Sequence, residues 1–151
     1  MDHPKDIGDR STLAVMLALQ QRGYTLLLPF GENTRYDVVI EDAPLFARVQ
    51  CKTGRLRDGA VVFRTCSSYA HHPNPRDLRR DYTGQVEYFG VFCPDNGGIY
   101  LVPIEDVETR NVARLRVTPP RNSQVKKIRY AADYEIARLV VPSAAPALVA
   151  A

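Results

Sequence analysis

The chain has 151 residues, 45% of them hydrophobic and 25% charged, a balance that fits one globular domain and excludes wholesale disorder. No apolar run approaches the roughly 20 residues of a membrane span, and the N-terminal MDHPKDIGDRST lacks the hydrophobic stretch of a secretory signal, so a cytoplasmic protein without membrane contact is expected. The net charge of +3 conceals a segregation: residues 48–80 hold eight lysines and arginines against two aspartates, and residues 110–130 hold seven with no acid. Basic segments of this kind suit loops that lie on phosphate. Cys51, Cys66 and Cys93 are odd in number and form no CxxC pair, which argues for small buried hydrophobes rather than a disulfide framework or a zinc knuckle.

In chain order, residues 11–22 (STLAVMLALQQR) begin with a Ser-Thr start signal and run into Gly23 as a stop, predicting a largely buried helix of about three turns. Residues 24–29 read as a first strand, PFGENTR as turn formers, and 36–40 (YDVVI) as a second strand. A turn at 41–44 leads to a third strand at 45–52 (LFARVQCK), so that 36–52 form a β-hairpin. Residues 53–59 are expected to be a loop in which Gly54, like Gly31 earlier, serves a turn, and 60–66 a fourth strand. The stretch SSYAHHPNPRDLRR is expected to be a loop leading into a short helical turn. The apolar run at 88–93 (YFGVFC) is a strand covered on both faces, turned by DNGG at 95–98 into another at 99–103. This order suggests a single α/β domain of residues 1–141 around a mixed sheet, with 142–151 (PSAAPALVAA) a loosely held tail.

Strand alternation gives the hairpin its chemistry. Gln50 and Lys52 point to one face and Cys51 to the other, and Asp37 falls within about one residue of the Gln50 level on the neighbouring strand. A carboxylate and a carboxamide oxygen are hard ligands of the kind Mg²⁺ takes, and an ammonium group beside them can orient a nucleophile or neutralise charge on a phosphate. The same residues would also suit an ordinary half-exposed strand, with Asp37 capping a turn.

The segment RGYTLLLPFGENTRYDVVIEDAPLFARVQCKTGR resembles the PD-(D/E)XK endonucleases, in particular the group I intron-encoded homing endonuclease group and, more remotely, Holliday-junction resolvases; VEYFGVFCPDNGGIYLVPIEDV resembles that group's later strands. The resemblance covers about residues 5–106 and implies a restriction-endonuclease-like mixed sheet flanked by helices. It matches Asp37 to the metal-binding aspartate, Gln50 to the D/E position and Lys52 to the lysine, and implies Mg²⁺, with Mn²⁺ as substitute. The group's glutamate on the first helix corresponds here to Thr12, counted back from Arg22-Gly23-Tyr24. Asp9, one turn earlier, is either a further metal ligand or an N-terminal cap.

The expected partner is DNA, without a nucleotide cofactor, since no GxGxxG or P-loop pattern occurs. Arg55, Arg57, Arg79, Arg80, Lys126 and Lys127 of the basic segments are candidate DNA contacts. Ser67, Ser68, Tyr69, Tyr82 and Gln85 are candidate donors to phosphate, and His71 and His72 are expected to face DNA rather than a metal. Glu87 lies near an acidic position of the related group, or else forms a cap or salt bridge. Cutting both strands of a duplex favours a homodimer or homotetramer. The readings carried forward are a metal-dependent DNA endonuclease, a weakened or inactive DNA-binding relative, and a structure-specific junction resolvase.

Overall fold

The computed structural model describes residues 2–68, 79–122 and 127–138. Helix α1 (Pro4–Gln21) begins at Pro4 rather than at Ser11. Proline at the first helical position loses no backbone bond, and His3 caps the end, its Nδ1 accepting the Lys5 N–H at 3.2 Å. Gly23, at φ 96°, ends the helix where the sequence places its stop. The helix buries one stripe, Ser11, Val15 and Leu19, at spacings of four, and leaves Leu13 and Leu17 exposed, so it is amphipathic rather than largely buried.

Three strands follow: β1 (Thr25–Leu27), β2 (Val38–Asp42) and β3 (Leu45–Thr53). β2 and β3 form the predicted hairpin, closed by Ala43-Pro44 and registered Val38 to Val49 and Ile40 to Ala47. The segment expected as a loop contains β4 (Arg55–Arg57), which turns back through Asp58-Gly59 into β5 (Ala60–Arg64). Positive φ at both residues, 50° and 76°, fits a tight two-residue hairpin turn. β6 (Cys66–Ser68) and β7 (Arg79–Asp81) form a two-stranded ribbon. The helical turn expected between them lies outside the described residues. β8 (Tyr88–Cys93) and β9 (Gly98–Pro103) then pair as predicted, and β10 (Val112–Arg116) was not foreseen.

The main sheet has the order β1-β2-β3-β8-β9, antiparallel except where β3 and β8 run parallel. Alternation along these strands builds two core layers. On one face Val38, Ile40, Val49, Cys51 and Leu101 meet Val15 and Leu19 of α1. On the other, Phe89, Val91, Tyr100 and Val102 meet Val61, Phe63, Ala113 and Leu115 of a second sheet, ordered β10-β5-β4. The mixed α/β sheet is therefore as expected, and among the described residues its second face is covered by the β10-β5-β4 sheet together with the 3-10 helix Ala131–Tyr134, whose Ala131 and Tyr134 join that core.

Two glycines set the layer spacing. A Cβ on Gly90 would stand 2.6 Å from Cγ1 of Val15, so glycine lets α1 approach the sheet. A Cβ on Gly54 would stand 2.7 Å from Cγ1 of Val61, so this residue, expected in a simple turn, marks the crossing of the two sheets. Cys51, Cys66 and Cys93 are free and buried. No helix among the described residues is long and apolar enough to cross a membrane. The 142–151 tail lies outside the described residues.

Candidate active site

Continuing the hairpin register one step beyond Val38 and Val49 sets Asp37 opposite Gln50. The Asp37 N–H donates to the Val49 carbonyl at 2.9 Å, and its Oδ2 accepts the Cys51 N–H at 2.8 Å. The Gln50 carboxamide nitrogen donates to the Cys51 carbonyl at 3.2 Å. The acid and the amide are thus fastened to the two polar groups of one residue, and Lys52, the next residue along, leaves on the Gln50 side of the sheet.

Burial of the Asp37 carboxyl raises its pKa; the Cys51 N–H and the Lys52 ammonium group act in the opposite direction, and the charge of Asp9 raises it further. Asp9, on the first turns of α1, is therefore within electrostatic reach of Asp37. Thr12 instead reaches the Cys51 thiol, and its hydroxyl donates to the Gly8 carbonyl at 3.1 Å. Burial, reinforced by the Asp37 charge, pushes that thiol up to about 12, so it stays protonated and unreactive at neutral pH. Beside it the buried Ser11 hydroxyl bonds Thr53 Oγ1 at 2.6 Å, pinning α1 to the end of β3.

Lys52 does not stand free. Its Nζ donates to the Tyr82 hydroxyl at 3.2 Å and lies 4.7 Å from the centroid of that ring. The Arg35 guanidinium lies 3.8 Å from the same centroid, while its Nε donates to Gln85 Oε1 and one terminal nitrogen to Ser67 Oγ, both at 2.6 Å. Tyr82, only 4% exposed, is packed edge-on against Phe89. Ser67, Tyr82 and Gln85, expected as donors to phosphate, thus gather around Arg35 and Lys52. Arg35 lies in the irregular segment before β2, where no strand period marks which side it serves.

Farther out, Arg48 and Glu87 form an ion pair joining β3 to the start of β8, the Glu87 carboxylate also accepting the Arg48 N–H at 2.8 Å. The arginine holds the Glu87 carboxyl below its ordinary range, in keeping with the salt-bridge reading of this residue. Arg55 and Arg57 flank the inward Leu56 on β4 and point away from the core. Lys127 is exposed and belongs to a separate cleft with the Asp58-Gly59 turn. Ser68, Arg79 and Arg80 are placed only by the backbone, Ser67 opposite Arg80 and Ser68 opposite Arg79. Tyr69, His71, His72 and Lys126 lie outside the described residues.

Asp37, Gln50 and Asp9 provide oxygen donors, and a half-buried carboxyl already burdened by a like charge is one that a divalent cation would relieve. Among the described residues no three His, Cys, Asp or Glu side chains gather. Such a sparse set fits a hard cation that keeps water and phosphate oxygens as its other ligands, and does not fit a closed zinc centre.

A model of a family described as PD-(D/E)XK endonuclease matches residues 2–137. Nucleases of that kind generally use divalent metal ions. Among solved structures, that of a bacterial homing endonuclease, I-Ssp6803I, is similar over 90% of both chains, with a TM-score of 0.69 at 19% identity, a likeness of fold. No curated protein matches the sequence.

Proposed function

Because the chain belongs to the PD-(D/E)XK endonuclease family, we propose that it is a divalent-metal-dependent endonuclease that hydrolyses phosphodiester bonds of double-stranded DNA, with Asp37, Gln50 and Lys52 at its centre. The observation that carries this reading is the fastening of Asp37 and Gln50 to the two polar groups of Cys51, with Lys52 next to them.

Asp37 would hold the cation by its carboxylate. Gln50, its nitrogen engaged, would offer the carboxamide oxygen, and Asp9 would add charge from α1. Mg²⁺ is the expected ion, with Mn²⁺ as its substitute; when bound, it polarises a phosphoryl oxygen and acidifies water. Lys52, set by the Tyr82 hydroxyl and ring, orients the attacking water and neutralises charge gathering on the phosphate. Arg35, 3.8 Å from the centroid of the same ring and bonded to Gln85 and Ser67, holds Tyr82 in place for Lys52. Two copies related by two-fold symmetry would present one site to each strand, and a dimer or a dimer of dimers follows from this reading.

The test is cleavage of plasmid and linear duplex DNA by purified protein with Mg²⁺, with Mn²⁺ and with chelator. Lys52→Ala is expected to cut about 100-fold more slowly or worse while keeping its melting temperature. Unimpaired cutting by that variant removes Lys52 from the mechanism. Thr12, which brings no carboxylate to the helix side, favours a second reading, a member that binds DNA without cutting it. Calorimetric titration of Mn²⁺ into the protein–DNA complex separates the two: metal binding that disappears in Asp37→Asn supports the nuclease, and DNA binding without metal binding supports the second reading.

A further inference from the structure

A cleft of about 650 Å³ lies away from the Asp37 site, lined by the Asp58-Gly59 turn, by β10 and the segment after it, and by residues 127–129. Its lining contains five cations, Arg114, Arg116, Arg121, Lys127 and Arg129, against one carboxylate, Asp58.

Arg116 fastens the walls together. It donates to the Asp58 carbonyl at 2.9 Å and to the Thr118 carbonyl at 3.0 Å, and its backbone N–H donates to the Arg129 carbonyl at 2.7 Å. The Gly59 carbonyl accepts the N–H groups of Val117 and Thr118, at 2.8 and 3.2 Å. A Cβ on Gly59 would stand 2.2 Å from Thr118 Oγ1, so only glycine fits this seam. The walls are fixed in advance, and Arg116 spends its guanidinium on them. Arg129 is partly engaged as well, its Nε donating to the Asp106 carbonyl at 3.2 Å.

Arg114, Arg121 and Lys127 are different. All three are exposed, and none forms an ion pair among the described residues. Arg114 is directed outward by the alternation that buries Ala113 and Leu115. Three unpaired cations on a pre-built concave wall concentrate positive potential there, at a cost in mutual repulsion that a polyanion removes.

From this we propose that the cleft is a second nucleic-acid contact, a phosphodiester-backbone site in which Arg114, Arg121 and Lys127 each meet phosphate of the duplex whose cleavage is proposed above; the proposal rests on that reading. The chain runs from Lys52 to Asp58 in six residues, so at about 3.3 Å per residue the cleft begins at most about 20 Å from Lys52. Six base pairs of duplex cover about the same length, at about 3.4 Å each. Such a contact anchors DNA without touching the reacting phosphate, and it is indifferent to sequence.

The test uses the full chain and the variant Arg114→Gln/Arg121→Gln/Lys127→Asn; asparagine suits the left-handed backbone of Lys127, φ 62°. Binding of one duplex is measured across a range of salt concentrations, together with thermal melting. The expected result is an unchanged melt, affinity lower by about 10- to 100-fold for unrelated sequences alike, and a log–log salt slope reduced by about 2 to 3, near 0.9 for each lost phosphate contact. Unchanged affinity and slope in a folded variant overturn the cleft while leaving the nuclease reading intact. Failure of the parent protein to bind duplex DNA with any salt dependence overturns both. If the triple variant melts early, Arg121→Gln alone, on the exposed segment after β10, decides the matter by the presence or absence of a slope change of about 1.

Discussion

Burial raises the pKa of the Asp37 carboxyl, so its charged form is held against the preference of its surroundings. A carboxyl whose pKa is raised on folding contributes stability in its protonated form, fully present below the ordinary carboxylate range and lost as pH rises through the raised value. The charged site therefore costs stability under working conditions. Asp37→Asn keeps an oxygen to accept the Cys51 N–H and removes the charge, so its melting temperature at neutral pH is expected to rise while Mn²⁺ no longer shifts it. A fall in melting temperature would show that the carboxylate is held comfortably after all. The like charge of Asp9 adds to the same burden, so Asp9→Asn should move the acid limb of the pH–rate profile to lower pH. An immobile limb would place Asp9 outside the site; it is not a cap, since the helix begins at Pro4 with His3 as its cap and Asp9 lies inside it. Tyr82→Phe keeps the ring under Arg35 and removes only the acceptor for Lys52. Cleavage at saturating DNA is expected to slow about tenfold with DNA affinity unchanged, the signature of a misaligned group rather than a lost contact.

At the scale of elements, the helix reaches the main sheet through the close approach of Val15 to Gly90 on β8. Gly90→Ala would press a methyl group into Val15, itself packed on Val49, and is expected to cost about 1–3 kcal/mol in chemical denaturation. The hairpin was legible because its signals are local: alternation in YDVVI and LFARVQCK, and a turn between them, fix which residues share a face. β8 was legible as a continuous apolar run, which only a strand covered on both faces sustains. The start of α1 is not legible as an apolar pattern, because its first turns are polar; Pro4 is the one local clue to it. β4 was hidden by arginines and glycines, although Asp58-Gly59 is a hairpin signal and Leu56 sits between two outward residues. The Arg35–Tyr82–Lys52 stack was not legible, because Tyr82 joins the other two only when the sheet forms, and no local pattern records that pairing.

For the whole molecule, basic charge gathers in two places, Arg35 and Lys52 around Tyr82 and the Arg114 cleft beside the Asp58-Gly59 turn. An ordinary net charge of +3 is thus compatible with strong, salt-sensitive attraction to a polyanion. The two-site arrangement also bears on assembly. If a symmetric pair of chains delivers one site to each strand, light scattering should give an even multiple of the 16.9 kDa chain mass, and a mass of one chain in the presence of DNA would show that strands are cut singly.

The parallel pairing of β3 with β8 has a further consequence. Two neighbouring strands of one sheet are separated in sequence by the whole of the second sheet's β4 and β5 and by the β6–β7 ribbon. That excursion is tied back at its middle by Ser67 on Arg35, and near its return by Gln85 on Arg35 and by Glu87 on Arg48. Closing a longer excursion costs only about 0.6 kcal/mol for each doubling of its length. Evolution can therefore lengthen or exchange the chain between Ser68 and Arg79, and with it what the molecule grips, while Tyr82 and the floor that bears the acid, the amide and the amine stay as they are.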